Sequence, residues 1–280
     1  MKVAVTGATG FIGRHVLAEL EARSVETIAL ARLATAKPME HASSRVVQLD
    51  LHDAPSNAFE LMGRPDVLIH LAWSGLPNYK SLHHFEQELP AQYRFLKSLV
   101  ESGLQNIVVA GTCFEYGMRS GALSEDVTPH PSNPYGFAKD ALRCQLEYLK
   151  SALPFDLTWA RLFYLYGEGQ AESSLLPQLR QAAERGDPVF NMSGGEQLRD
   201  YLPVTEVARS LVSLALAKKD MGVVNVCSGT PISVRKLVED LIKKNGWSIT
   251  LNLGHYPYPD YEPMAFWGDR RKLDSLQELK

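Results

Sequence analysis

The sequence predicts an α/β fold with a doubly wound parallel sheet, and two observations carry this prediction. Short apolar runs alternate with segments of helical spacing along most of the chain. The first apolar run, residues 3–5, ends in a glycine turn that opens a helical pattern. Strands that alternate with helices form parallel sheets with helices on both faces.

The glycine turn has the spacing GxxGxxG, with Gly7, Gly10 and Gly13 at its three positions. Gly7 lets the chain turn sharply off the strand, Gly10 lets the backbone approach a ligand, and Gly13 lets the helix pack tightly on the sheet. The open N–H groups at the start of the helix then form a site for a diphosphate. Because the turn joins a strand to a helix, we expect a Rossmann-type, dinucleotide-binding fold.

The rest of the chain extends this pattern. Further strands are predicted at residues 26–32, 45–51, 66–73, 106–111, 155–162 and 223–227, and helices at 85–101 and 135–149. Residues 1–165 are predicted to form the dinucleotide-binding domain, and residues 166–280 mainly a smaller C-terminal substrate-binding lobe. Because a strand at about 220–230 returns to the sheet, the two parts are expected to interleave.

Composition limits the classes of partner. The chain has 280 residues, a net charge of -3 and no basic block, so no nucleic acid partner is expected. Three scattered cysteines favour a reducing compartment, and no apolar run is long enough to span a bilayer. We therefore expect a cytoplasmic protein without a membrane partner. His83 and His84 have no further ligand nearby, so no metal is predicted.

Three residues resemble a proton-transfer unit. Tyr135 and Lys139 have the spacing YxxxK, which puts both side chains on one face of a helix. Thr112 ends the predicted fifth strand. A tyrosine is a poor acid or base at neutral pH, so a nearby ammonium, together with a positively charged oxidised nicotinamide, is expected to lower its pKa. Taken alone, the pair could equally be two residues on an exposed helix face.

At this point the sequence resembles a known family, the extended short-chain dehydrogenase/reductases that act on nucleotide sugars as epimerases, dehydratases and reductases. The matching pieces run in the family's order over nearly the whole chain: residues 7–13, 50–51, 70–72, 111–117, 135–139, Arg161 with 166–167, and 199–208.

The resemblance implies roles for individual residues. Tyr135 donates a proton to a sugar carbonyl, Lys139 binds the nicotinamide ribose, and Thr112 takes the place of the catalytic Ser or Thr. Asp50 and Leu51 flank the adenine. The cofactor-binding residues are expected to be Gly7, Gly10, Phe11, Ile12, Gly13, Arg14, Arg32, Asp50, Leu51, Leu71, Ala72, Tyr135 and Lys139, and the substrate-binding residues Trp73, Cys113, Phe114, Tyr164 and Arg199.

Arg199 is implied to contact the diphosphate or the nearby nucleotide of the substrate. The alternative is a surface salt bridge with Asp200, because exposed pairs of this kind are common.

The predicted cofactor is NADPH. Chains that prefer NAD usually place an acidic residue at the end of the second strand, where this chain has Arg32. Arg14 follows the last glycine of the turn. Two guanidinium groups near the ribose suit a 2′-phosphate. The alternative is that one or both arginines are only solvated.

The residues after Thr112 narrow the reaction. In the family's 4,6-dehydratases the next two residues are an acid and a base, whereas here they are Cys113 and Phe114. Dehydration is therefore disfavoured, and Cys113 is interpreted as packing. The segment 111–118 and the tail 266–269 resemble reductases of dTDP-4-keto-6-deoxyhexoses. We expect NADPH-dependent reduction at C4 of such a sugar.

Two alternatives stay open: a nucleotide-sugar 4-epimerase with tightly bound NAD, and a non-catalytic NADP-binding sensor. Trp73, Tyr164 and Glu88 depart from the family's usual residues, which puts the pose of the sugar in question. Relatives often dimerise through two helices from each subunit. The apolar faces at 85–101 and 135–149 would permit such a homodimer.

Overall fold

The structure is a computed structural model that describes residues 1–32 and 44–277. Its strands are β1 (Lys2–Thr6), β2 (Glu26–Ala31), β3 (Arg45–Gln48), β4 (Val67–His70), β5 (Asn106–Thr112), β6 (Gly121–Leu123), β7 (Asp156–Leu162), β8 (Tyr164–Tyr166), β9 (Val189–Asn191), β10 (Leu198–Pro203), β11 (Gly222–Val226), β12 (Pro231–Ser233), β13 (Thr250–Asn252) and β14 (Phe266–Gly268). Its helices are α1 (Phe11–Ala22), α2 (Ala58–Leu61), α3 (Leu89–Glu101), α4 (Pro134–Ala152), α5 (Leu175–Arg185), α6 (Val204–Ala217), α7 (Val234–Asn245) and α8 (Arg271–Gln277).

Seven strands form one parallel sheet in the order β11-β7-β5-β4-β1-β2-β3. The order reverses direction at β1, so the connections wind to both sides of the sheet. All seven predicted strands are present, within a few residues at each end. The predicted doubly wound, Rossmann-type α/β fold is therefore confirmed.

Two apolar layers enclose this sheet. On one face, α1 and α6 pack together over side chains such as Val5, Leu17 and Leu211. On the other face, α3 and α4 cover a second core that includes Phe95, Leu142 and Trp159. Because both faces are covered, β1, β4 and β5 are buried along almost their whole length.

The C-terminal half contributes both to this sheet and to a smaller group of elements. Helix α6 and strand β11 belong to the main sheet and its layers. The other elements form a three-stranded sheet, β12-β10-β8, and the pair β13-β9, while β14 pairs with β6 from the first half of the chain. Helices α5 and α7 share a separate apolar core with Leu179, Phe190 and Val238. Among the described residues, no helix is long and apolar enough to cross a membrane.

Candidate active site

A cavity of about 600 Å³ opens at the carboxyl ends of β1, β4 and β5, where ligands of open parallel sheets bind. Its volume is typical of a site for a small molecule or cofactor. Most of the residues predicted to bind cofactor or substrate line it: Gly7, Gly10, Phe11, Ile12, Gly13, Arg32, Asp50, Leu51, Leu71, Ala72, Trp73, Thr112, Cys113, Phe114, Tyr135, Lys139 and Tyr164. The fold thus collects residues from across the chain at one edge of the sheet.

The glycine turn forms one wall, and its shape requires glycine at two positions. Gly7 has a φ of 64°, and a Cβ there would lie 2.9 Å from the amide nitrogen of Ala72. A Cβ at Gly13 would lie 2.7 Å from the Cα of Ala8. Thr6 completes the wall, because its hydroxyl accepts the N–H groups of Leu71 and Ala72. The start of α1 therefore faces open space with unobstructed N–H groups, as binding of a dinucleotide diphosphate requires.

Tyr135 and Lys139 lie together on the buried face of α4 and reach the opposite wall. Asn133 caps the start of the helix, and its side-chain oxygen accepts the N–H of Gly136. Lys139 is only 2% exposed, and its Nζ donates to the carbonyl oxygen of Ala110 at 2.8 Å. Burial lowers the pKa of Lys139 to about 7, while the carboxylates of Glu115 and Glu88 oppose this shift.

Tyr135 remains protonated in this setting. Burial raises the pKa of its phenol, and Tyr79 and Glu115 raise it further. In the protein without cofactor, desolvation disfavours the phenolate and is the largest effect on this pKa. The expected lowering by Lys139 together with an oxidised nicotinamide concerns the complex with cofactor and stays a prediction. At neutral pH the cavity therefore presents a phenolic proton.

Thr112 ends β5 beside this pair. Its side-chain oxygen accepts the N–H of Phe114 at 3.3 Å, and the carboxylate of Glu115 accepts the N–H of Thr112 at 2.8 Å. This reciprocal arrangement is a capping box at the start of a short 3-10 helix, Cys113–Tyr116. Since the hydroxyl of Thr112 acts as an acceptor here, its own proton is left for another oxygen.

Aromatic rings surround Tyr135. The centroid of Trp73 lies 6.0 Å from that of Tyr135 and is in edge contact with it, and Tyr79 lies at 5.6 Å. Phe114 contacts Tyr79, with ring centroids 4.8 Å apart. Trp73 and Phe114 were predicted to line the site. Tyr79 was not predicted, because it lies in a loop outside any recognised motif.

A buried carboxylate, Glu88, also lines the cavity. It accepts the hydroxyl of Ser74 at 2.6 Å, the side-chain amide of Gln92 at 2.8 Å and a ring nitrogen of His52 at 2.7 Å. Burial raises its pKa, but the hydrogen bonds from Ser74 and Gln92 outweigh burial and lower the pKa to about 2. In the sequence, Glu88 is noted only as a departure from the family's usual residue at this position. Its partners come from three separate segments.

Two predicted residues lie away from the cavity wall. The Nε of Arg14 donates to the carbonyl oxygen of Gly10 at 3.5 Å, and its guanidinium packs against Gly169. Arg199 is 2% exposed, and its Nη2 lies 2.7 Å from the carboxylate of Glu262. The alternative, a surface salt bridge between Arg199 and Asp200, is wrong, because the buried guanidinium pairs with Glu262 instead. The substrate-binding role of Arg199 stays a prediction.

Asp200 has other partners. Its carboxylate accepts backbone N–H groups from Ser228, Gly229 and Gly268. It therefore ties β10 to the segments after β11 and around β14.

Cys113 and Tyr164 also line the cavity. Cys113 is buried against Tyr116, Phe163 and Cys227, which fits its interpretation as a packing residue. Burial raises the pKa of its thiol, so the group stays neutral. The ring of Tyr164 packs on Tyr201 and Phe266. Cys113 therefore supplies neither an acid nor a base at neutral pH.

A glycine turn that fits a diphosphate and a buried tyrosine–lysine pair on the facing wall define the class: this is an NAD(P)-dependent enzyme with a Rossmann-type fold. The chain belongs to the NAD dependent epimerase/dehydratase family, whose model matches residues 3–227. The family resemblance inferred from the motifs is thus confirmed.

Similar proteins agree with this assignment. The chain is 29% identical over 270 residues to a dTDP-6-deoxy-L-talose 4-dehydrogenase (NAD(+)) of Aggregatibacter actinomycetemcomitans, covering 96% of this chain and 99% of that protein. It is 29% identical to a dTDP-6-deoxy-L-talose 4-dehydrogenase (NAD(P)(+)) of Kitasatospora kifunensis, covering 92% and 83%. The structure of MoeE5 in complex with UDP-glucose and NAD superposes with a TM-score of 0.83 and 29% identity, covering 98% and 91%.

Proposed function

We propose that this protein reduces the C4 carbonyl of a nucleotide-linked 4-keto-6-deoxyhexose, with NADPH as the reductant. The observation that carries the proposal is the placement of Thr112, Tyr135 and Lys139 on one cavity wall, with Tyr135 protonated. A reduction needs a proton donor at the carbonyl oxygen, and a phenol with a raised pKa is such a donor. The family and the names of its dTDP-sugar relatives support the substrate class.

Thr112, Tyr135 and Lys139 have different roles in the proposed reduction. The hydroxyl of Thr112 donates to the carbonyl oxygen and holds it beside the phenol of Tyr135. As negative charge develops on that oxygen, Tyr135 transfers its proton to it. The ammonium of Lys139, on the same helix face, stabilises the phenolate that remains. Bound NADPH supplies the hydride that reduces C4.

Arg32 supports the choice of NADPH. It follows the last residue of β2 and lines the cavity, where an NAD-preferring chain would carry a carboxylate. A guanidinium at this place suits a ribose 2′-phosphate. Asp50 and Leu51 line the same region and are proposed to flank the adenine.

The aromatic rings support a deoxygenated sugar. Trp73, Tyr79 and Phe114 enclose the space beside Tyr135, and apolar walls suit a C6 methyl group better than a hydroxymethyl group. Arg199 is proposed to bind the diphosphate of the substrate. In that case the phosphate replaces the carboxylate of Glu262 as the partner of Arg199.

A nucleotide-sugar 4-epimerase with tightly bound NAD is the second candidate. It is favoured by the position of Arg14 away from the cavity, which leaves one arginine rather than two for a 2′-phosphate. Oxidised NAD that stays with the purified protein through gel filtration would support this candidate.

The test is loss of NADPH absorbance with dTDP-4-keto-6-deoxyglucose generated in situ, with NADH run in parallel. A second assay runs in the oxidative direction, with dTDP-6-deoxy-L-talose and either NADP⁺ or NAD⁺, and tests the L-configured sugar. We expect turnover with at least one of these sugars and a preference for NADPH. Tyr135→Phe should lower kcat by about 10³-fold and leave NADPH binding within about threefold. Absence of turnover with both sugars and both cofactors would refute the proposal.

A further inference from the structure

Glu115 is a fully buried carboxylate directly behind the proposed catalytic residues. It has an exposed fraction of 0% and does not line the cavity. One oxygen accepts the N–H of Thr112 at 2.8 Å and the indole N–H of Trp159 at 2.9 Å. The other oxygen accepts the Nε–H of Arg161 at 2.6 Å and the same indole at 3.1 Å.

These contacts favour the charged form of Glu115, against the effect of burial, and they hold the side chain in one position. Every partner is an N–H donor, and a carboxylate is the form of the side chain that only accepts. Burial raises the pKa of Glu115, and the Arg161 guanidinium is the largest effect that opposes it. Space is also tight, because a Cβ at Gly111 would lie 2.6 Å from the Glu115 oxygen.

The charged groups nearest to Glu115 are Arg161 and, beyond it, Asp140. Arg161 pairs with it from β7 and also stacks over the ring of Tyr116. Asp140 of α4 lies 4.0 Å from Arg161 and pairs more closely with Arg143. The guanidinium of Arg161 is therefore shared between two carboxylates.

Glu115 and Lys139 contact the same short stretch of β5: Glu115 accepts the N–H of Thr112, and the ammonium of Lys139 donates to the carbonyl oxygen of Ala110, two residues earlier. Among the described residues, two carboxylates favour the ammonium of Lys139: Glu115 first, and then Glu88 from the turn before α3. The other titratable groups that face Lys139 are His70 at the end of β4, His84 before α3, and Tyr135 on α4 itself. Burial lowers the pKa of both histidines, so at neutral pH they add no positive charge.

We infer that Glu115 is a positioning residue for the proposed ketoreduction: it fixes the turn that aims the Thr112 hydroxyl, and its negative charge keeps Lys139 an ammonium. The inference rests on the proposed function for its catalytic meaning. The effect of Glu115 on the charge of Lys139 does not depend on that function, and it can be measured in the protein without cofactor. Burying a charged carboxylate lowers the stability of the folded protein. A role in positioning the catalytic residues gives a reason for this cost.

The experiment uses Trp73 as a reporter of the charge on Lys139, since the ammonium lies 4.0 Å from the indole centroid. Fluorescence is titrated against pH in the cofactor-free protein, and the Trp73 component is obtained by difference from Trp73→Phe. We expect a midpoint near pH 7 in the wild type. In Glu115→Gln, measured against Glu115→Gln/Trp73→Phe, the midpoint should fall by about one pH unit. The pH above which kcat falls should decrease by the same amount.

Two further variants separate charge from position. Glu115→Asp keeps the charge but shortens the reach to Thr112, so its midpoint should stay near that of the wild type while kcat falls about tenfold. Glu184→Gln removes one exposed carboxylate of α5 and should change neither. A midpoint that is unmoved in a folded Glu115→Gln, or equally moved in Glu115→Asp, would overturn the inference. Absence of wild-type turnover would instead refute the proposed function and leave the titration standing.

Discussion

Lys139 and Trp73 are in cation–π contact: the ammonium lies 4.0 Å from the centroid of the indole ring. The same ammonium donates to the carbonyl oxygen of Ala110. Lys139 is thus fixed between β5 and the loop after β4, and its charge is held out of water. Burial disfavours the charged form of the lysine, so a buried ammonium lowers the stability of the folded protein. We expect Lys139 to be kept in this position for its role in the reaction.

The first prediction concerns that cost. In the folded protein the pKa of Lys139 falls from 10.5 to about 7, which corresponds to a penalty of about 5 kcal/mol. This destabilisation of the folded protein has its full size below pH 7. It is relieved as pH rises from 7 to 10.5, because the unfolded chain then binds more protons. Lys139→Met should therefore raise Tm by several degrees at pH 6.5, and by less at pH 9.5.

Calorimetry of both proteins at the two pH values checks this prediction. Lys244→Met, a change at an exposed position of α7, is the matched control and should give a difference that does not vary with pH. A Lys139→Met protein that is less stable than the wild type at both pH values would show that the hydrogen bond and the ring contact outweigh burial.

The second prediction concerns cofactor choice. If Arg32 binds the 2′-phosphate, Arg32→Ser should lower kcat/KM for NADPH by about 10- to 100-fold, the range expected for loss of a charged hydrogen bond. The value for NADH should change little. Arg14→Ser is the control, since Arg14 lies off the cavity wall, and should leave the ratio within about twofold. Equal losses with both cofactors for Arg32→Ser would contradict the assignment.

The third prediction concerns the pair of Arg199 and Glu262. If the substrate diphosphate must displace the Glu262 carboxylate, Glu262→Gln should lower the KM of the sugar nucleotide by about fivefold. Arg199→Met should raise it, and the two effects should not add, because both act on one guanidinium. Steady-state kinetics of the two single variants and the double variant measure this. A lower Tm with an unchanged KM in Glu262→Gln would assign the pair to stability alone.

The sheet and the core of the site could be predicted because their signals are local. The glycine turn, the strand that ends at Thr112 and the four-residue spacing of Tyr135 and Lys139 are each contained in a few consecutive residues. Their positions then follow from the rule that ligands bind at the carboxyl ends of parallel strands. Helix α6 was not predicted, although part of it was read as a family motif.

The remaining features depend on partners far apart in the sequence. Arg161 is 46 residues from Glu115, and Arg199 is 63 residues from Glu262. No local sequence pattern indicates such pairs. For Arg199 the sequence therefore predicted only two possible partners, the substrate or the neighbouring Asp200. The raised pKa of Tyr135 also escaped prediction, because it reflects the packing of Tyr79 and other rings around the phenol.

The central claim is that hydride reaches C4 of the sugar. The most direct measurement uses NADPH deuterated at C4 of the nicotinamide, in both stereochemical forms, with dTDP-4-keto-6-deoxyglucose and then with the L-configured 4-keto sugar. Products are analysed by NMR. We predict deuterium on C4 of the sugar from one of the two forms, with one NADPH oxidised for each product. Absence of deuterium from both sugars with no net loss of NADPH, together with interconversion of the two C4 epimers of a nucleotide-linked hexose by the same protein with NAD⁺, would contradict the account and favour the epimerase.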